Sequence, residues 1–168
     1  ELGHEALAQA WVDYVQGVTW ALREEGCAIG GVDVAVASDV PLGSGLSSSA
    51  ALEVGVLRAL SAAFSLELDG STIARLAHRA ETGFVGVPVG VMDQMASSLA
   101  SEDAALFIDT RTLAFEHVPL PASAQLLVIN SGITHAHAGG EYRTRRSECE
   151  AAARALGLPL DVAELAEP

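Results

Sequence analysis

The sequence has 168 residues, of which 50% are hydrophobic and 18% are charged, a composition that can bury a core and excludes general disorder. No apolar run reaches the roughly 20 residues that a membrane-spanning helix needs, and the formal net charge of −13 argues against nucleic acids and anionic membranes as partners. With only two cysteines and no export leader at Glu1, we expect a cytoplasmic protein without a disulfide framework.

Hydrophobic periodicity predicts the elements of the first half of the chain. Apolar residues at helical spacing indicate a helix over residues 5–25, and alternating β-branched residues indicate a strand over residues 32–37. A Pro/Gly turn then leads into a second helix, predicted over residues 46–64. A third helix is predicted over residues 71–82, with Ser71 as its N-cap.

The second half is predicted to alternate between short helices and strands. A fourth helix begins near Met92, and a last helix covers residues 141–156. Three strand-like runs lie between them: 105–109, 113–118 and 125–130. A Pro-containing stretch at 119–123 is the predicted domain boundary. Because the chain opens on glutamate instead of methionine, we expect it to be a piece of a longer protein.

The most informative stretch is a Gly/Ser-rich loop between the predicted strand and the second helix, with the sequence Pro-Leu-Gly-Ser-Gly-Leu-Ser-Ser-Ser-Ala-Ala-Leu-Glu at residues 41–53. Gly43 and Gly45 permit a tight turn and close approach of the backbone to a ligand. The serines at 47–49 lie where the helix begins, and free N–H groups at a helix N-terminus attract anions. The pattern therefore predicts a phosphate-binding loop.

Three alternatives to a phosphate loop fit the sequence less well. A flexible linker would not run directly into a strongly periodic helix. The dinucleotide-binding fingerprint lacks its third glycine, and the G-x-S-x-G elbow of serine hydrolases does not occur. All basic residues are arginines, so a Walker-type loop with its lysine is excluded. Mg²⁺ held by carboxylates would then have to offset the phosphate charge.

Two carboxylates are candidates for this task. Glu81 is expected in the last turn of the third helix, and Asp93 at the start of the fourth, after a Gly/Pro-rich loop that could fold back. Spacing alone favours plainer roles, a solvated helix face for Glu81 and an N-cap for Asp93.

Other residues are predicted to be structural. Trp11 and Trp20 are expected in the core, and Cys27 and Cys149 as core or boundary thiols. The pair His135 and His137 lacks an evident third metal ligand, so both are expected in a loop. The arginines at 143, 145 and 146 are expected to pair with glutamates on a helix face.

The loop at residues 41–53 resembles the second motif of the GHMP kinases, small-molecule kinases that include galactokinases, homoserine kinases and mevalonate kinases. Within that family, Leu-Ser-Ser-Ser-Ala at 46–50 is most similar to the galactokinase branch. Three further stretches resemble galactokinase segments and follow the same order along the chain: 11–18, 80–97 and 140–150.

This resemblance implies a fold and a division into domains. The expected fold is α+β, with a GHMP-kinase-type N-terminal domain (ribosomal protein S5 domain 2-like) and the beginning of a C-terminal α+β domain. Residues 1–119 would form part of the N-terminal domain and residues 124–168 the start of the C-terminal one. The family's N-terminal Arg-Val-Asn-Leu-Ile-Gly-Glu-His-Thr-Asp-like motif and its C-terminal glycine-rich motif do not occur in this chain.

The resemblance also implies a reaction, the ATP-dependent phosphorylation of galactose at its C1 hydroxyl. Asp93 would be the catalytic aspartate beside that hydroxyl, and Tyr142 would also bind the sugar. Ser49 and Glu81 would hold Mg²⁺. The ATP phosphates would lie on seven consecutive residues: Gly43, Ser44, Gly45, Leu46, Ser47, Ser48 and Ser49.

Two other functions stay open at this point. One is a related kinase acting on N-acetylgalactosamine, arabinose or a non-sugar alcohol. The other is a non-catalytic sensor of ATP and sugar. The intact serine run at 47–49 favours the enzyme, although the isolated chain, which lacks two family motifs, is not expected to turn over substrate.

Overall fold

The computed structural model describes residues 2–123, 125–129 and 139–157, with the side chains of residues 139–142 excepted. The elements follow in the order α1 Val12–Glu24, α2 Ser48–Ala63, α3 Gly70–Arg79, a π-helix Ala80–Val85, α4 Met92–Leu99, β1 Ala104–Ile108, β2 Phe115–Pro119 and α5 Gly139–Leu156. The chain is thus α+β, as expected.

The core lies between α1, α2, α3 and the π-helix. Its buried hydrophobic side chains come from all four elements: Val18, Ala21, Leu22, Val54, Val56, Leu57, Leu60, Ile73, Leu76, Ala77 and Ala80. Gly17 allows α1 to lie close to the π-helix, because a Cβ there would come within 3.0 Å of the Ala80 carbonyl oxygen. Helix α4 is tied to this core by Ser98, whose Oγ donates to the Gly70 carbonyl at 2.7 Å.

Helix α1 is shorter than predicted, because the chain before it forms a turn. The Asp13 carboxylate accepts hydrogen bonds from the backbone N–H groups of Ala8 at 2.7 Å and Ala10 at 3.1 Å. Those bonds hold residues 8–10 outside the helix. The prediction that Trp11 belongs to the core is wrong, since Trp11 is 62% exposed, whereas Trp20 packs against the core.

The third helix begins one residue before Ser71, and its cap is not Ser71. Asp69 is the N-cap, and its carboxylate accepts the Thr72 N–H at 2.7 Å. At the other end, the helix does not stop but continues into the π-helix, which carries residues 80–85. The predicted helix end at Thr82 therefore lies inside the π-helix, which continues α3 without a break.

Only one pair of the predicted strands forms within the part of the chain that the structure describes. β1 and β2 are antiparallel, with Ala104 opposite Pro119 and Ile108 opposite Phe115. Residues 32–37 and 125–129 are unpaired, and their apolar side chains are exposed; Val34, for example, is 47% exposed and Leu126 87%. A strand needs a hydrogen-bonded neighbour, and none of the described residues supplies one to these two segments.

No described helix is both long and apolar enough to cross a membrane. The predicted division into two domains at 119–123 stays a prediction. The predicted strand residue Asn130 and the segment 158–168 lie outside the described residues.

Candidate active site

The Gly/Ser-rich loop is exposed and reaches a helix N-terminus, as the sequence predicts. Gly43 and Gly45 have φ angles of +66° and +77°, a left-handed conformation that glycine adopts at little cost. The Ser44 hydroxyl closes the turn by donating to the Pro41 carbonyl at 2.8 Å. Ser47 also has a positive φ of 55°, which costs energy for a residue with a side chain and is typical of functional loops.

Helix α2 presents free N–H groups at its start. Its first backbone hydrogen bond joins the Ala51 N–H to the Ser47 carbonyl at 3.0 Å, so the preceding N–H groups have no partner within the helix. No side chain of the described residues caps this end. The partial positive charge of an uncapped N-terminus favours an anion there.

Glu81 lies in the π-helix and is almost completely buried, with 4% of its surface exposed. Its Oε2 accepts a hydrogen bond from Gln94 Nε2 at 2.7 Å, and its backbone carbonyl accepts the Val87 N–H at 3.1 Å. The plainer expectation, a solvated helix face, is therefore wrong. π-Helical turns are rare in proteins, and those that do occur often lie at functional sites.

Asp93 lies in the first turn of α4 and is partly buried. It is not the N-cap of that helix, because Val91 occupies the cap position and no side chain makes a capping hydrogen bond there. The plainer expectation for Asp93 is thus wrong as well. No described side chain forms a hydrogen bond with its carboxylate.

Interactions at the Glu81 carboxylate join these elements into one site. Burial raises the pKa of Glu81, a hydrogen-bonding interaction with the Ser49 side chain lowers it, and the nearby charge of Asp93 raises it again. Ser49 and Asp93 therefore both lie near Glu81, although the three residues come from the start of α2, the start of α4 and the π-helix. The Gly/Pro-rich loop between the π-helix and α4 folds back, as the sequence suggested, and this brings Asp93 near Glu81.

The sequence analysis missed Glu53, which is fully buried on α2. Burial raises its pKa to about 10, and the neighbouring Glu81 carboxylate contributes in the same direction. Neither Glu53 oxygen has a hydrogen-bond partner of ordinary distance and angle among the described residues. Glu53 shares the buried face of α2 with Leu57 and Leu60, and a glutamate at that spacing within an apolar face was the available signal.

Gln94 and Tyr14 are two more polar neighbours that the sequence analysis did not identify. Gln94 is fully buried, and its Oε1 has no hydrogen-bond partner within the described chain. The pKa of Tyr14 is raised by burial and then by the charges of Glu81, Glu53 and Asp13, so this phenol lies at the border of the same cluster.

Several predicted residues lie elsewhere or outside the described part. The side chain of Tyr142 and both histidines of the His135/His137 pair are outside the described residues. Arg145 and Arg146 pair with Glu148 and Glu150 at 2.6 and 3.1 Å, as expected for a charged helix face. Cys149 is exposed and Cys27 partly buried, so only Cys27 fits the expectation of a core or boundary thiol.

The oxygen atoms of Ser49, Glu81 and Asp93 are chemically suited to Mg²⁺, a hard cation that prefers oxygen ligands. The described residues contain no group of three His, Cys, Asp or Glu side chains that could hold a metal alone. Mg²⁺ could be held there only with further oxygen ligands, such as substrate phosphates and water.

A model of the GHMP kinases N terminal domain matches residues 13–101, more than half of the chain. The chain belongs to the GHMP kinase family. Its matched region contains the loop, α2, the π-helix and Asp93, which is the whole candidate site apart from Tyr142.

Curated relatives of this chain are named galactokinases. The chain is 47% identical over 153 residues to the galactokinase of Streptomyces coelicolor, covering 89% of this chain and 40% of that relative. It is 43% identical over 148 residues to that of Pyrococcus furiosus, covering 88% of this chain and 42% of the relative. The chain thus spans about two fifths of the length of these relatives.

A solved structure shares the fold. The crystal structure of Lactococcus lactis galactokinase complexed with galactose superposes with a TM-score of 0.66 at 24% sequence identity. The match covers 90% of this chain and 41% of that one. The fold expected from the sequence is therefore confirmed.

Proposed function

We propose that the full-length protein, meaning this chain together with the remaining length that its relatives possess, phosphorylates galactose at the C1 hydroxyl with ATP. The observation that carries the proposal is the convergence of Ser49, Glu81 and Asp93 beside the uncapped N-terminus of α2. Family membership and relatives named galactokinase support the choice of reaction and sugar.

The loop at residues 43–49 would hold the ATP phosphates. Its helix N–H groups offer hydrogen bonds to phosphate oxygens, and the helix dipole there contributes about 0.3–2 kcal/mol. Ser49 and Glu81 would hold Mg²⁺, which neutralises phosphate charge during phosphoryl transfer. The serines at 47–49 are intact, which favours an enzyme over a non-catalytic sensor.

Asp93 would act on the sugar. As the C1 oxygen bonds to the γ-phosphorus, the bond to the bridging oxygen breaks and ADP leaves with that electron pair. The C1 hydroxyl must lose its proton, and a carboxylate beside it can accept that proton or orient the hydroxyl. Tyr142 would add a hydrogen bond to the sugar.

We also propose a cytoplasmic location, which the free thiols of Cys27 and Cys149 support.

The test is a substrate panel with the full-length protein. ADP release is measured with ATP and Mg²⁺ in the presence of galactose, N-acetylgalactosamine, arabinose or homoserine. The proposal predicts the highest kcat/KM with galactose. A higher kcat/KM with another acceptor would reassign the substrate, and ATP binding without turnover of any acceptor would favour the sensor.

A further inference from the structure

Gln94 is a fully buried amide in the helix turn that carries Asp93. Its Nε2 donates to Glu81 Oε2 at 2.7 Å, across 13 residues of sequence. The same amide also interacts with the Glu53 carboxyl group. Gln94 therefore links α4 to the π-helix and to α2, the three elements that present Asp93, Glu81 and Ser49.

Packing does not account for an amide at this position. Burying a polar side chain is unfavourable unless its hydrogen bonds are made, and Gln94 Oε1 has no partner among the described residues. A methionine of similar length would fill the same space without an unpaired polar atom. What the amide adds is a donor to one carboxylate oxygen of Glu81 and an interaction with the Glu53 carboxyl group.

We infer that Gln94 is a positioning residue, which holds the Glu81 carboxylate at a fixed place relative to Asp93. The hydrogen bond at Oε2 fixes the orientation of the carboxylate. This inference rests on the proposed function, in which Glu81 holds the cation of Mg²⁺·ATP. Groups that orient a metal ligand typically change metal affinity or activity by about 10–100-fold when they are removed.

The test uses Gln94→Met in the full-length protein, which removes the donor and keeps the side-chain length. Binding of Mn²⁺ with a non-hydrolysable ATP analogue, without sugar, is followed by electron paramagnetic resonance. We expect affinity to fall about 10–100-fold, with a similar rise in the Mg²⁺ concentration that gives half-maximal rate. The KM for galactose should change much less.

Ser98→Ala is the matched control, because Ser98 lies buried on the same helix and its hydroxyl bonds the Gly70 carbonyl, away from Glu81. This variant should bind Mn²⁺ normally. In a Glu81→Gln background, Gln94→Met should have little further effect on Mn²⁺ binding, because Gln94 acts through Glu81.

Gln94→Glu is the second variant, since it is isosteric and replaces Nε2 by oxygen; it too should weaken Mn²⁺ binding. Normal Mn²⁺ affinity in either folded Gln94 variant overturns the inference. Loss of folding in both, with Ser98→Ala folded, also overturns it by making Gln94 a folding residue. If wild-type protein binds Mn²⁺ and nucleotide but does not phosphorylate galactose, the choice of sugar fails, and weakened Mn²⁺ binding by the Gln94 variants still supports the role of Gln94. Absence of Mn²⁺–nucleotide binding by wild-type protein refutes both.

Discussion

Replacing Glu53 by glutamine should change how the stability of the protein depends on pH. Glu53 is buried in the core face of α2, and its pKa is raised from an ordinary value of 4.5 to about 10. Between these two values the folded protein keeps the proton and the unfolded chain releases it. Stability therefore falls as pH rises through this range, because the unfolded state gains a favourable ionisation that the folded state cannot make.

The magnitude follows from the pKa difference. Each pH unit above 4.5 costs about 1.4 kcal/mol, so the cost at pH 7 approaches about 3 kcal/mol. Glutamine has nearly the same shape and does not ionise, so Glu53→Gln lacks this cost. Its extra amide donor, if unpaired, introduces a constant penalty of about 1–3 kcal/mol. The reliable signature is thus the pH slope rather than the stability at one pH.

The assay is urea unfolding of the full-length protein with EDTA and without nucleotide, at several pH values between about 5 and 8. The free energy of unfolding of Glu53→Gln minus that of wild type should increase by about 1.4 kcal/mol per pH unit. Glu67→Gln is the control, because Glu67 is exposed on the surface, and its curve should run parallel to wild type. A Glu53→Gln curve that is also parallel to wild type would refute the raised pKa.

Three further predictions follow from the site and its surroundings. Glu81→Gln should raise the Mg²⁺ concentration that gives half-maximal ATP turnover more than Gln94→Met does, as measured by Mg²⁺ titration. Glutamine is preferred to alanine because Glu81 is buried and hydrogen-bonded. An equal or smaller effect than that of Gln94→Met would show that Glu81 is not a Mg²⁺ ligand. Asp69→Ala should lower the thermal midpoint and Ser71→Ala should not, because Asp69 accepts the Thr72 N–H; the reverse order would restore Ser71 as the cap. The isolated 168-residue chain should show no galactose phosphorylation in an ADP-release assay, because it spans only about two fifths of the length of its relatives. Clear activity would show that the missing length is dispensable.

Helices were predictable from the sequence where one face is continuously apolar. Helix α2 begins two residues after its predicted start and ends one residue before its predicted end. The strand predicted at 32–37 does not form, because alternation predicts a pleated segment and cannot supply a neighbour to pair with it. The cap of α3 was misassigned because Asp69 and Ser71 are both good caps, and only backbone geometry separates them.

The site itself was predictable only in part. The glycines and serines at 43–49 carry a local signal. Glu81 and Asp93 were candidates from their positions along the chain, and motif resemblance supplied their expected roles. The structure adds what makes them one site, namely their burial and proximity. Glu53 and Gln94 were missed because their role depends on contacts across the core, between residues 13 or more positions apart. The π-helix has no sequence pattern distinct from an α-helix at this length.

The central claim is that Asp93 acts on the sugar hydroxyl, beside a separate nucleotide-binding loop, and Asp93→Asn tests it most directly. In the full-length protein, kcat with galactose should fall by about 10²–10⁴-fold. The dissociation constant for Mg²⁺·ATP should stay near the wild-type value. Asp103→Asn, the same substitution at an exposed position, should leave both quantities unchanged. Near-normal kcat in Asp93→Asn, or a loss of ATP binding equal to the loss of kcat, would contradict the assignment.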